Sequence, residues 1–416
     1  MISPLIYDPD MKIKDSADFF FEMGPIRPPN EGKDHSLLIR TTRNCSWNRC
    51  EFCATYKGKK FSYRRVAEIK KDIDVAKALH DEINRVASRL GLAGRVTRQV
   101  LAAVCQENPQ VYGEDSGDPE KVSLRHQNLV NVANWLSSGA KSVFLQDADV
   151  LIMRTPDLLD LITYLKDTFP SVERVTGYAR SKSCLRKSPE ELKELSQTGL
   201  SRLHVGLESG CDEVLAFMHK GVTAQEQLAA GQKVRQAGIS LSEYVMPGLG
   251  GVRWSQKHAM DSAAILSAID PEFIRLRSLA LRRHSPLLAQ SQAGSFTELP
   301  EDAVVEEIAL FIENLHCRAY ITSDQMANLL YAVEGQLPQA KEQILEAISE
   351  YCQMSPRKKL TFRLRQRLLS FLAVYGALTP ELEEKVQEAR QALQQEKPEA
   401  GAKVDAAIAA LKEGFI

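Results

Sequence analysis

Three cysteines crowd one short stretch of this 416-residue chain: Cys45, Cys50 and Cys53, in the run TTRNCSWNRCEFCATYKGKKF from Thr41 to Phe61. Their C-x4-C-x2-C spacing puts three thiols on one tight loop, directly behind the apolar segment Ser36 to Ile39, which reads as a short buried strand. Intracellular cysteines so spaced are metal ligands before anything else. A structural zinc takes four closed ligands, and no second CxxC or HxxxH pair lies nearby. A [4Fe-4S] cube held by three cysteines instead leaves one iron open to a small molecule. Disulfide chemistry is disfavoured, because the opening MISPLIYDPDMKIKD is charged early and has no apolar core of a secretion signal. The remaining cysteines, Cys105, Cys184, Cys211, Cys317 and Cys352, lack ligand spacing and are expected to be small buried hydrophobes.

Strand, three-cysteine loop and the aromatic Phe52 just before Cys53 together resemble the radical S-adenosylmethionine (SAM) superfamily. The usual spacing there is C-x3-C-x2-C, and this chain carries one extra residue in the first gap. GPIRPP before the strand, CSWNRCEFC, and YKGKKFS after it resemble a group of Fe–S oxidoreductases akin to the coproporphyrinogen-dehydrogenase-like and methylthiotransferase-like branches. The resemblance implies a [4Fe-4S] cluster on Cys45, Cys50 and Cys53, with SAM at the open iron. It implies reductive cleavage of SAM to a 5'-deoxyadenosyl radical that abstracts hydrogen from a substrate. A low-potential donor of flavodoxin or ferredoxin type is needed to feed the cluster.

SAM offers an ammonium, a carboxylate, two ribose hydroxyls and an adenine face. By the resemblance, Asp147 and Asp149 in QDAD occupy the place of a Gly-Gly-Glu-like motif that contacts the ammonium, although either could instead cap the next turn. Arg180 can pair bidentately with the carboxylate, or form an ordinary surface ion pair. Glu208 and Ser209 in GLESG resemble the ribose-contacting motif. MPGLGG, with Gly248 and Gly250, resembles the glycine motif that backs the adenine, against which Phe52 also packs. Its spacing is not the G-x-G-x-x-G of dinucleotide-binding folds. Beyond these, Arg275, Arg277, Arg282 and Arg283 crowd one segment and point to an anionic small-molecule substrate as one class. The run Ser323 to Asn328 resembles an S-D-H-x-x-N motif with Gln325 in the histidine position. Arg357-Lys358-Lys359 with Arg363, Arg365 and Arg367 is the strongest basic patch, and keeps an RNA- or protein-modifying role open beside that of a solvated helix face.

These residues must be held by an alternating framework. A helical insert of about 65–138 follows the first strand, with apolar residues at helical spacing from Val66 to Ile83. From residue 140 strands and capped helices alternate: Ser142 to Leu145, Arg174 to Tyr178, Arg202 to Leu207, Ile239 to Val245 and Phe273 to Leu279. Capping boxes stand at Ser188/Glu191 and Thr223/Glu226. Six strands alternating with helices predict an α/β fold, a partial (β/α)6 TIM-type barrel whose polar loops follow the strands' C-terminal ends. The β pattern stops beyond Leu281, and Ala303 to Leu315, Ser323 to Val333, Ala340 to Tyr351, Phe362 to Tyr375, Pro380 to Gln395 and Lys403 to Lys412 read as helices. The expected domains are a lead-in over 1–35, a core over 36–284 and an all-helical region over 285–416.

A net charge of -1 disfavours a protein whose main task is gripping nucleic acid. No stretch approaches the roughly 20 apolar residues of a membrane helix, so the cytoplasm is the expected compartment. A non-catalytic Fe–S electron-transfer protein and a zinc module stand as the other classes. The former gives the ESG and GLGG loops no reason to converge on the cysteines.

Overall fold

The computed structural model describes residues 19–29, 35–113 and 118–414. The chain divides into two compact units. One takes the described residues up to Asn44 with Phe61–Gly177 and Gln197–Ser201; the other takes Cys45–Lys60, Tyr178–Ser196 and everything from Arg202 on.

The first unit is built on three parallel strands. β1 (Leu37–Arg40) pairs with β4 (Ser142–Gln146), Leu38 opposite Phe144, and β4 pairs with β5 (Arg174–Ala179), Val143 opposite Val175. All five residues of β4 are buried, the near-continuous apolar pattern of a parallel strand covered on both faces. Between them come a small antiparallel pair, β2 (Thr42–Arg43) with β3 (Ser62–Tyr63), and the helical insert: α1 (Val66–Arg89), α2 (Arg98–Glu107), α3 (Pro109–Tyr112) and α4 (Pro119–Ser137). α1 buries Ile69, Ile73, Ala76, Leu79 and Ile83, the stripe its sequence predicts. α5 (Thr155–Thr168) opens with Pro156 in its first turn and leads to β5.

In the second unit, α6 (Ser181–Arg186) and α7 (Pro189–Thr198) precede β6 (Leu200–Glu208). β6 pairs in parallel with β7 (Ser240–Val245), β7 with β8 (Phe273–Leu276), and β8 with β9 (Tyr320–Thr322). β10 (Gly335–Gln336) closes the series antiparallel to β9. α8 (Asp212–Phe217), α9 (Ala224–Gln236) and α10 (Gly251–Ile269) connect these strands. Both expected capping boxes form: Ser188 exchanges hydrogen bonds with Glu191, and Thr223 with Glu226. α11 (Pro286–Gln292), α12 (Glu301–Glu313), α13 (Lys341–Cys352), α14 (Pro356–Tyr375), α15 (Pro380–Gln394) and α16 (Ala400–Glu413) complete the chain. The last three share a core that includes Leu364, Phe371, Val386, Val404 and Ile408.

The six expected strands are all present, and the fold is the expected α/β class with mostly parallel pairing. The C-terminal region departs from an all-helical one. Tyr320–Thr322 and Gly335–Gln336 are strands, and Ser323 to Val333, expected as a helix, is an irregular connection between them. Its apolar stripe is real, since Ala327, Leu329, Leu330 and Val333 are buried, but the segment spends it in a loop packed on its neighbours. The last expected strand stops at Leu276 rather than Leu279. Cys184, Cys211 and Cys317 are buried as expected, while Cys105 and Cys352 are only partly so.

Candidate metal and cofactor site

In the second unit the cysteine loop is anchored from both sides. The Glu51 amide donates to the Met218 carbonyl (3.0 Å), and the Glu51 carbonyl accepts from the Leu287 amide (3.0 Å). The Glu51 carboxylate meets His219 Nδ1 at 2.7 Å and accepts from Gln290 Nε2 at 2.9 Å. Trp47 donates its indole N–H to the His219 carbonyl (2.7 Å) and is flanked by the guanidiniums of Arg49 and Arg180, each 5.0 Å from a ring centroid. Asn48 lies in left-handed backbone and ties the loop's return by donating to the Tyr56 carbonyl (2.6 Å).

Lys220, which sequence reasoning did not single out, is the hub. Its ammonium donates to Glu208 Oε1 (3.0 Å) and lies 5.8 Å from the centre of the Phe52 ring, while its carbonyl accepts from Arg180 (3.2 Å). Burial works against the charge of Lys220, but Glu208 and the Cys50 side chain outweigh it and hold its pKa above the ordinary lysine value. Cys50, Phe52, Arg180 and Glu208 are thus brought together around one cation. The only sequence trace of Lys220 is a lone lysine before Gly221. Glu208 itself sits at a positive φ of 63°, where β6 slips its register against β7 between Gly206 and Glu208.

Ser209 and the MPGLGG loop form a second, largely buried network. Ser209 Oγ is 2.8 Å from His258 Nδ1 and accepts from the Cys211 amide (3.0 Å). His258 Nε2 faces the Met246 carbonyl (3.1 Å) and so carries the ring proton; burial keeps the imidazole neutral, which leaves Nδ1 to accept from the Ser209 hydroxyl. Glu307 on α12 accepts from the Gly248 amide (2.6 Å) and from Ser255 Oγ (2.5 Å). Burial lowers the His258 pKa to about 4 and raises that of Glu307 to about 7. The glycines answer to protein neighbours: Gly248 has φ +85°, and a Cβ on Gly250 would stand 2.9 Å from the Trp254 backbone. His258 and Glu307 carried no motif that would have marked them.

Asp147 and Asp149 belong to the first unit. Asp147 is fully buried, accepts from Arg40 (2.6 and 3.0 Å) and from the Asn44 amide (3.1 Å), and packs on Gly24, where a Cβ would come within 2.8 Å of its oxygen. Arg40 also pairs with Glu22 (2.9 Å), which binds Arg43 (2.6 Å) as well. Gln146 clasps the Gly24 backbone in both directions, so the described part of the lead-in, residues 19–29, is held against β4. Asp149 is buried and precedes the short turn Val150–Ile152 without capping it through its side chain.

The donor set fits an iron–sulfur cluster better than a single ion. Among the described residues the cysteine triad is not one of the groups tight enough for one ion; that description fits Cys211, Glu213 and Asp261, whose carboxylates Lys257 already pairs. Burial pushes the Cys50 thiol up to about 11, against which Lys220 and Arg180 act as adjacent cations that favour thiolate. Half of the basic patch on α14 is engaged in close ion pairs: Arg363 with Glu301 and Asp405, Arg367 with Glu301, and Arg357 with Glu396. Among the described residues no helix is long and apolar enough to cross a membrane.

Residues 105–263 match the model of the radical SAM superfamily, a segment that begins after the cysteine loop and ends within α10. A tRNA uridine(34) acetyltransferase of Methanocaldococcus jannaschii is 20% identical over 132 residues, 30% of this chain and 24% of that protein. The counterpart from Methanocaldococcus infernus is also 20% identical, over 29% of this chain and 23% of its own. This chain therefore spans about a quarter of the length of these curated relatives. Among solved structures, Methanocaldococcus infernus Elp3 with an N-terminal deletion aligns at 15% identity over 56% of this chain and 58% of its own, TM-score 0.39. The [FeFe]-hydrogenase maturase HydG aligns at 11% over 90% and 76%, TM-score 0.40.

Proposed function

We propose that this chain, whose residues 105–263 match the radical SAM superfamily model, is an enzyme of that kind with a [4Fe-4S] cluster and SAM as cofactors, that Cys45, Cys50 and Cys53 hold the cluster and that the side chains around Lys220 receive SAM. When bound, the cluster supplies one electron for reductive cleavage of SAM, giving the 5'-deoxyadenosyl radical that takes hydrogen from the substrate. The observation that carries the reading is the convergence of Lys220, Glu208, Arg180 and Phe52 on the Cys50 side of the loop.

Each of these residues has work to do there. Glu208, held by Lys220, offers a carboxylate oxygen to the ribose hydroxyls. Arg180, braced on Trp47, presents its guanidinium to the SAM carboxylate. Phe52 packs on the adenine. Ser209 has its hydroxyl engaged by His258, so its part is to fix the bend between β6 and α8; Gly248 and Gly250 shape the loop that closes the adenine side. A flavodoxin or ferredoxin in an oxygen-poor cytoplasm completes the scheme.

Anaerobic reconstitution with iron and sulfide, followed by SAM and dithionite, tests this directly. Wild-type protein is expected to form 5'-deoxyadenosine and Cys50→Ala to form none. A verified four-iron cluster that yields no 5'-deoxyadenosine would overturn the enzymatic assignment in favour of electron transfer.

A further inference from the structure

The stretch that enters the cysteine loop and the stretch that leaves it meet in the first unit. β2 and β3 pair Thr42 with Tyr63 and Arg43 with Ser62, so residues 40–44 and 61–64 form a narrow neck that brackets residues 45–60 along the chain. A ribbon this short has little stability of its own, and both residues of β3 are exposed. The neck is held by something else.

That hold is ionic. Glu22, from the lead-in, pairs with Arg40 (2.9 Å) and Arg43 (2.6 Å) of the entering stretch and lies 3.4 Å from Arg64 of the leaving one. Arg64 donates to the Arg40 carbonyl (2.6 Å) and to Asp72 of α1 (2.7 Å), and Asp72 in turn accepts from the Glu22 amide (3.2 Å). Asp147, which follows β4, completes the set by pairing with Arg40. Three guanidiniums thus meet three carboxylates, and the side chains of Arg40, Arg64, Asp72 and Asp147 are all largely or fully shielded from water. Removing one member of such a set leaves its partners charged and buried.

The knot closes on the residue before Cys45. Asn44 has a left-handed backbone, φ 68°, a conformation that asparagine adopts more readily than most residues. Its amide donates to Asp147 Oδ2 (3.1 Å), and its side-chain oxygen accepts from Arg40 (3.4 Å). The same Oδ2 accepts two bonds from Arg40, at 2.6 and 3.0 Å. An oxygen with two lone pairs and three donors has no capacity to spare for a ligand. Backbone and side chain of the turn are therefore fixed together by one carboxylate and one guanidinium, at the point where the chain passes to Cys45.

We propose that Glu22 and Asp147 are positioning residues for Cys45: Asp147 sets the turn at Asn44, and Glu22 ties both sides of the neck to the lead-in. The loop then enters in one direction before a metal binds, which spares its ligands the ordering that binding would otherwise require. The consequence for a cluster rests on the reading of Cys45 as a ligand; the clamp itself does not.

Alkylation of Cys45 by iodoacetamide in the intact, metal-free chain, followed by peptide mass spectrometry, tests the clamp. Cys105, on α2 in the same unit and also partly exposed, is the internal control. In Glu22→Gln and in Asp147→Asn, Cys45 is expected to react roughly fivefold faster or more, the mark of a local opening, while Cys105 keeps its wild-type rate. The double variant is expected to react no faster than the more affected single one, because both carboxylates act through Arg40. After reconstitution with iron and sulfide, the electron paramagnetic resonance g values of the reduced cluster are expected to shift in both variants. Should Asp147→Asn fail to fold, Glu22→Gln, whose carboxylate is partly exposed, carries the test. An unchanged Cys45 rate in both variants overturns the proposal. So does a joint rise at Cys45 and Cys105, which would mean general loosening. Loss of SAM affinity in Asp147→Asn with an unchanged Cys45 rate would assign that carboxylate to SAM, also against the proposal. If wild type takes up no iron while the labelling result holds, the cluster reading fails and the clamp stands.

Discussion

Gly221 presses so closely on the Trp47 indole that a Cβ at this position would lie 2.3 Å from the ring. Trp47 sits between Cys45 and Cys50, and its N–H is tied to the carbonyl two residues before Gly221. The geometry of the cysteine loop is therefore set in part by the absence of one side chain outside it.

Gly221→Ala is expected to displace Trp47 and to impose a left-handed backbone, φ +74°, on a residue that resists it by about 1 kcal/mol. Iron and sulfide bound per chain after reconstitution should fall severalfold, with a shift in tryptophan emission. Adding Trp47→Ala should relieve the clash and recover stability, leaving the backbone cost. Full iron incorporation with unchanged emission in Gly221→Ala would show that the loop does not depend on this contact.

The buried pair His258 and Glu307 gives a pH signature through opposed shifts. Glu307 titrates near 7 in the fold, above its unfolded value, so its contribution to stability is present below about 4.5 and is lost as pH rises to 7. His258 titrates near 4, below its unfolded value, so its contribution is gained as pH rises from 4 to about 6.5. In wild type the two nearly cancel between pH 4.5 and 6.5. Glu307→Gln should expose the histidine, making stability climb over that interval by about 3 kcal/mol at most. Denaturant midpoints measured across the range decide it; a flat Glu307→Gln profile would mean that His258 is not held neutral.

Arg367 is almost fully buried and joins Glu301 to the carbonyls of Met326 and Asn328. Arg367→Met should cost about 3–5 kcal/mol, since Glu301 would lose a buried partner, though Lys412 and Arg363 remain beside it. An unchanged urea midpoint would show that the remaining cations suffice.

The alternation of strands and capped helices was legible in the sequence because period and cap chemistry agree there, as at Ser188/Glu191 and Thr223/Glu226. The cysteine loop stood out in the sequence by its spacing as the candidate metal site. Ser323 to Val333 misled because its apolar residues fall at helical spacing, yet Asn328 is drawn away to satisfy the backbone at the end of β8, a tertiary demand no local pattern carries. Lys220 was invisible for a related reason. Its importance lies in meeting Glu208 and Cys50 through the fold, and a lysine twelve residues beyond a glutamate announces nothing. Ser209 was found by motif, but its engagement with His258 depends on α10 arriving alongside.

β9 lies against β8 with Arg275 opposite Thr322, and the chain reaches it only after α11 and α12. A fragment ended near residue 284, where the alternating pattern runs out, would leave β8 as a bare edge, its amides and carbonyls open to any passing strand. Such a fragment is expected to aggregate however faithfully its earlier elements fold. For anyone dividing this protein into expressible parts, the useful cut lies beyond β10.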